Sequence, residues 1–76
     1  MADENIIERI GLNIRIIREQ RGLSQEKLGD MAGLHRAYIG QIERGEKNIG
    51  LKNLEKIANA LNVNVHILFE IHHVDL

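Results

Sequence analysis

Between Gln25 and Arg44 the chain reads QEKLGDMAGLHRAYIGQIER, and its small and apolar residues fall where two short helices crossing at a steep angle need them. Gly29 removes the side chain at the point where the second helix must pass close, and Gly33 can take the positive φ that a tight interhelical turn demands. Leu28, Leu34, Ile39 and Ile42 supply an apolar seam between the two helices. The outer side of the second helix is left with His35, Arg36, Ala37, Gly40, Gln41 and Arg44, spaced three and four apart so that they share one face. That face is polar, basic and free of large apolar groups.

A plain helical hairpin in a small bundle would also need a turn glycine and inner aliphatics. Here those two glycines and four aliphatics agree at once, Arg and Gln remain outside, and a further helix flanks the pair on either side. The pattern reads as a DNA-binding helix-turn-helix over residues 25–44.

The chain has 76 residues, enough for a single domain over 1–76 that buries only about 60% of its unfolded surface. Modest stability as a monomer is expected, and a partner chain would raise it. Hydrophobic content of 43%, aromatic content of 3% and the absence of Pro favour helices packed through aliphatic side chains over a sheet. The absence of Cys excludes disulfides and cysteine-ligated zinc. The beginning, MADENIIERIG, is acidic and holds no uninterrupted apolar run, so neither a signal peptide nor a membrane span is expected, and the protein is expected to be cytoplasmic.

A formal net charge of -1 runs against DNA binding. Its distribution answers the objection. Asp3, Glu4, Glu8, Glu70 and Asp75 lie near the two ends, and without them ten basic residues face six acidic ones, net +4, in the part that contains the helix-turn-helix.

Along the chain, a first helix is expected over about Glu4 to Arg21, with Ile7, Ile10, Ile14 and Ile17 on one side and Gly22 stopping it. Arg9, Arg15, Arg18 and Arg21 ride its other faces, open either to solvent or to phosphate. Ser24 is a good N-cap for the helix starting at Gln25, without a capping box because Lys27 stands three places on. The recognition helix is expected over about His35 to Arg44, ended by Gly45. After a polar loop from Glu46 to Gly50, a fourth helix carries Leu51, Leu54, Ile57, Ala58 and Leu61 inside and Lys52, Asn53, Lys56 and Asn59 outside.

The stretch from Leu61 to Ile71 admits two patterns. Val63, Val65, Ile67, Phe69 and Ile71 alternate as in a strand, whereas a short helix capped by Asn64 would group Val65, Leu68 and Phe69. A lone strand would have only its copy in another subunit to pair with, so the helix is preferred. Either pattern leaves apolar surface at this end uncovered.

From Leu12 to Phe69 the chain resembles the phage-repressor and Cro family of helix-turn-helix regulators, through RGLSQEKLGDMAGL, YIGQIERGEKN and LKNLEKIANALNV. The run IERG after the recognition helix is a specific mark. Within that family the small size and the pairing of HRAYIGQIERGEKNIGL with ILFE are most like the controller proteins of restriction-modification systems. The resemblance implies an all-α, compact five-helix, lambda-repressor-like DNA-binding domain. It also implies a homodimer formed largely through a C-terminal segment, about 61–76, with Val65, Leu68 and Phe69 at the interface. The partner implied is a pseudo-palindromic double-stranded DNA operator, with no membrane, small-molecule substrate or cofactor.

Chemistry suits the base-reading positions. Arg36 sits early on the exposed face, where a guanidinium reaches two major-groove acceptors of guanine; Ala37 can touch a thymine methyl, and Gln41 can pair with adenine. Tyr38, Arg44, Lys47 and Asn48 match positions where the family touches backbone or groove edges, so the resemblance implies them, with Ser24 and Gln25, as the candidates for the DNA backbone. Gln25 is further favoured by the helix N-terminus. Plainer roles stay open: Tyr38 as packing, Arg44 paired with a nearby acid, Asn48 capping its loop. Gly29 stands where Ala is commonest in the family and Gly50 where Ser or Thr often caps, and His35 says nothing about operator preference.

Controllers of this kind activate their own gene and the endonuclease gene and repress at high concentration. Glu26 and Asp30, one turn apart, lie on the face through which related regulators touch RNA polymerase; ordinary solvated acids are the alternative. A phage-type repressor or an antitoxin-like autorepressor is the alternative function. The chain shows no extension beyond the domain to hold a toxin, which counts against the latter. An enzyme is poorly supported: His35, His66, His72 and His73 lack a consistent metal-ligand spacing, so no metal site is expected, and no nucleophile-base pattern or phosphate loop is present.

Overall fold

Side-chain caps set the helix starts in the computed structural model, which describes residues 5–71. Asn5 accepts a hydrogen bond from the Ile7 amide (2.8 Å) and opens α1, Ile6–Gln20. Ser24 Oγ accepts from the Lys27 amide (2.9 Å) and opens α2, Gln25–Ala32. His35 Nδ1 accepts from the Ala37 amide (3.1 Å) and opens α3, Arg36–Glu43. Gly50 precedes α4, Leu51–Leu61, with no side-chain cap. Each side-chain acceptor satisfies a donor that has no partner inside its own helix.

The expected helix order holds, with shifted ends. The first helix begins at Ile6, Glu4 lying outside the described residues, and in α3 both His35 and Arg44 serve as caps and not as helical residues. Gly33 ends α2 at φ 73°, as the turn requires. The C-terminal segment is helical, but as a 3-10 turn, α5, Val65–Phe69, and the Asn64 side chain makes no cap bond. The described residues therefore form four α-helices and one 3-10 turn without strands, not five full helices. Five residues give too few turns to settle into α-geometry, and the segment follows the shape of what lies beneath it.

One core joins all five elements: Ile10, Ile14 and Ile17 of α1; Leu28 and Ala32 of α2; Ile39 and Ile42 of α3; Leu54, Ile57, Ala58 and Leu61 of α4; and Leu68 of α5. Burying each large aliphatic is worth about 1.5–3 kcal/mol. α3 lies against α1 and α2, α4 packs on α2, and α5 bridges α1 and α4. Two backbone approaches make this tight. A Cβ on Gly29 would collide with the Leu34 carbonyl oxygen, as the sequence pattern required, and one on Gly11 would collide with the Ile42 carbonyl oxygen, which the pattern did not reveal.

Two expectations, Leu51 on the inner face of α4 and Leu68 at the dimer interface, are corrected. Leu51 is 77% exposed, because it stands on the first turn of α4, in a shallow groove with Lys52, Glu55 and Val65. Leu68 is fully buried in its own chain and cannot face a partner, so among the three interface candidates only Val65 and Phe69 keep exposed surface.

Arg9 and Arg18 of α1 and its C-cap Arg21 bind other elements of the fold, while Arg15 pairs on its own exposed face. Arg18 forms a two-pronged pair with Glu43 at the end of α3 (Nε–Oε2 2.6 Å, Nη2–Oε1 3.0 Å) and donates to the Leu23 carbonyl at 2.7 Å. Their side chains are 11% and 3% exposed. The hydrogen bond to Glu43 raises the Arg18 pKa above its ordinary value against the opposing effect of burial. Arg21 donates to the Leu61 carbonyl at 2.7 Å, Arg9 to the Phe69 carbonyl at 3.2 Å, and Arg15 pairs with Glu19. Buried Asn13 donates to the Leu68 and Glu70 carbonyls (2.8 and 2.7 Å), fastening α5 to α1.

Glu43→Ala should therefore cost about 2–4 kcal/mol, read by urea denaturation, because it leaves the Arg18 guanidinium only the Leu23 carbonyl and the exposed Glu19 at 3.8 Å, whereas Arg18→Met combined with Glu43→Leu should cost far less. Equal losses in the single and double variants would contradict the assignment.

Candidate nucleic-acid interface

α2 and α3 meet with the start of α2 beside the outer face of α3, and the groove between them gathers Ser24, Gln25, Arg36, Ala37, Gln41 and Arg44. Spacing alone groups Arg36, Ala37, Gln41 and Arg44, and the tertiary structure adds Ser24 and Gln25 to the same surface. Arg36 and Ala37 are exposed, and Gln41 is half-buried. Gly40, expected on the outer face, is buried: the side chains of Arg44 and Gln25 close over it, Nη1 and Oε1 lying 3.1 and 3.4 Å from where its Cβ would be.

The groove is ordered from within. Gln25 donates through Nε2 to Glu43 Oε1 at 3.0 Å, so the acid that holds Arg18 also aims the first side chain of α2. Ser24 uses Oγ as an acceptor for its cap, which leaves its hydroxyl proton available to an anion at the α2 N-terminus. Tyr38 is half-buried, and its hydroxyl accepts from Asn53 Nδ2 at 3.1 Å, tying α3 to α4.

Arg44 leans on Glu46 through Nε–Oε2 at 2.8 Å and Nη2–Oε1 at 3.2 Å. The Arg44 hydrogen bond holds the Glu46 carboxyl below its ordinary range and raises Arg44 in turn. Glu46 has its pKa lowered on folding, so the pair contributes above the ordinary carboxylate range and is lost as pH falls through the lowered value. Both groups are exposed, and water screens the attraction. Lys47 and Asn48 stand exposed in the following loop, outside the groove.

Glu26 and Asp30, the two acids singled out on α2, are exposed and line a second recess with His35 and Arg36. Glu26 Oε1 lies 3.6 Å from Arg36 Nη1. Arg36 thus stands on the ridge shared by the two depressions.

The internal partners of this surface were missed in the sequence. A signal existed: Glu43 follows Ile39 by four places, which puts an acid on the inner face of α3. The same spacing marks Arg18, four places after Ile14, and Asn13, three after Ile10 and four before Ile17, which puts both on the inner side of α1. Among the described residues no group of three His, Cys, Asp or Glu side chains could hold a metal ion, and no helix is long and apolar enough to cross a membrane. His72 and His73, and the part of the C-terminal segment beyond Ile71, lie outside the described residues.

The helix-turn-helix family model matches residues 14–68. Control protein C.SmaI of Serratia marcescens is 46% identical over 61 residues, spanning 80% of this chain and 73% of that protein. Control protein C.BamHI of Bacillus amyloliquefaciens is 48% identical over 60 residues, 78% and 74% of the two chains. The crystal structure of the restriction-modification controller protein C.AhdI from Aeromonas hydrophila superposes with a TM-score of 0.81 at 41% identity, covering 83% of this chain and 96% of that one. These similarities place the chain among regulators and not among enzymes.

The unusual imidazole cap of α3 gives a direct check on how the outer face is held. His35→Ala should lower stability by about 1 kcal/mol in urea denaturation, and His35→Ser should recover most of it.

Proposed function

The chain belongs to the helix-turn-helix family as a DNA-binding transcription regulator close to restriction-modification controller proteins, and we propose that it acts as a homodimer on a pseudo-palindromic operator upstream of its own gene. Each protomer inserts α3 into a major groove, and the two-fold axis places the half-sites about one helical turn of DNA apart. The observation that carries this reading is the single groove uniting Ser24 and Gln25 at the start of α2 with Arg36, Ala37, Gln41 and Arg44 on α3.

In this reading Arg36 reads guanine, Ala37 a thymine methyl and Gln41 adenine. Ser24, Gln25, Tyr38, Arg44, Lys47 and Asn48 hold the phosphate backbone. Arg44 exchanges Glu46 for a phosphate oxygen as it docks. The partner protomer covers Val65 and Phe69 together with Leu51, whose exposure beside Val65 supports a surface that a second copy closes.

The dimer activates its own gene and the endonuclease gene and represses at high concentration, which delays the nuclease until methylation protects the host. Activation runs through an acidic contact with RNA polymerase on α2. Asp30 is the better placed of its two acids, because Glu26 is engaged by Arg36.

Titration of labelled duplex from upstream of the start codon tests the DNA reading. Cooperative binding is expected, lost on a scrambled duplex and weakened by about 1–3 kcal/mol in Arg36→Ala; equal weak binding to every duplex would sink it. For the interface, Leu51→Glu with Val65→Glu should sediment as a folded monomer and bind without cooperativity. A wild-type chain that is monomeric at high micromolar concentration would rule the dimer out.

A further inference from the structure

Glu26 takes no part in the core or in the Arg18–Glu43 network. Its carboxylate faces Arg36 Nη1 at 3.6 Å, and both side chains are 66% exposed. Water screens such a pair in the free protein, so it adds little to stability. The position is nonetheless a costly one for an acid, since Glu26 lies on the rim of the groove that faces the phosphates. A contact that the carboxylate makes in the docked state would offset that repulsion.

The geometry supplies that role. Arg36 lines both the groove that holds Gln41 and Arg44 and the recess that holds Asp30 and His35, so its long side chain has two depressions to swing into. The guanidinium carries five N–H donors in a rigid planar fork. Guanine occupies two of them through O6 and N7, and a carboxylate at Nη1 can hold the fork from another edge. When docking expels water, the effective dielectric falls and the attraction strengthens.

We propose that Glu26 is a positioning residue for sequence discrimination: its carboxylate holds the Arg36 guanidinium in the orientation that reads guanine and keeps it from turning to a phosphate. Glu26 then makes Arg36 selective at the expense of overall affinity. A misplaced base meets an arginine that cannot relax toward the backbone, which weakens binding to the wrong sequence more than to the right one.

This inference rests on the DNA-binding reading above, and one experiment separates the two. The full chain is titrated against operator duplexes substituted one base pair at a time, and the position whose discrimination Arg36→Ala abolishes identifies the pair that Arg36 reads. At that position Glu26→Gln should lower the discrimination ratio by about fivefold to tenfold, mainly through tighter binding of the substituted duplex. Other positions should keep their ratios, and in the Arg36→Ala background Glu26→Gln should leave every ratio unchanged. Glu26→Asp, which keeps the charge but shortens the reach, should lose discrimination as Gln does. Asp30→Asn removes one charge a turn away and should tighten all duplexes alike.

Far-UV circular dichroism on each variant confirms folding. A ratio unchanged in Glu26→Gln, or one that falls equally at all positions or in the Arg36→Ala background, overturns the proposal while leaving the DNA-binding reading intact. No discrimination by the wild-type protein at any position overturns both.

Discussion

The two-pronged pair between Arg18 and Glu43 is the contact on which the arrangement of the helices depends. It joins the end of α1 to the end of α3, and through Gln25 Nε2 and the Leu23 carbonyl it also reaches the start of α2 and the turn before it. Apolar packing alone tolerates sliding, because aliphatic side chains have no preferred direction of contact. A planar guanidinium against a planar carboxylate does have one, and it sets the register of α3 against α1. Burial makes that choice firm, since withdrawing Glu43 leaves Arg18 only the exposed Glu19 at 3.8 Å as counter-ion and withdrawing Arg18 leaves a buried carboxylate without its cation.

From this pair the outer surface of α3 follows in order. Glu43 is buried on the inner face of α3, while Arg36, Ala37 and Gln41 look outward from the same short helix. Fixing the inner face therefore fixes the outer one, and a helix of eight residues has little freedom to distort between them. Several outward groups are already occupied in the free protein: Arg44 by Glu46, Arg36 by Glu26, Tyr38 by Asn53. In the proposed complex Arg44 exchanges the exposed, water-screened Glu46 for a phosphate, whereas Arg36 keeps Glu26.

The parts legible in the sequence are those governed by short-range periodicity and local caps. Gly29, Gly33 and the seam of Leu28, Ile39 and Ile42 sit as the spacing required, and Ser24 caps α2. Periodicity failed at element ends. Leu51 continues the apolar stripe of α4 in one dimension, yet on the first turn of that helix it stands 77% exposed, beside Lys52, Glu55 and Val65. Gly40 reads as outward by spacing and is buried because Gln25, from another helix, folds over it. Val65, Leu68 and Phe69 share a face on paper, while in the fold Leu68 turns wholly inward.

By itself the sequence determined an all-helical chain with a helix-turn-helix at residues 25–44 and a basic, polar outer face on its second helix. Those properties follow from neighbours within about four residues, where helical geometry is the same in any protein. Only the tertiary structure decided that Arg18 is a structural cation and not a surface one, that Asn13 fastens the 3-10 turn, and that Glu26 stands against Arg36. These partners lie 25, 55 and 10 positions apart in the chain. No local periodicity couples residues so distant: the apolar core brings them near one another, and the directional polar contacts then fix the register that apolar packing leaves free.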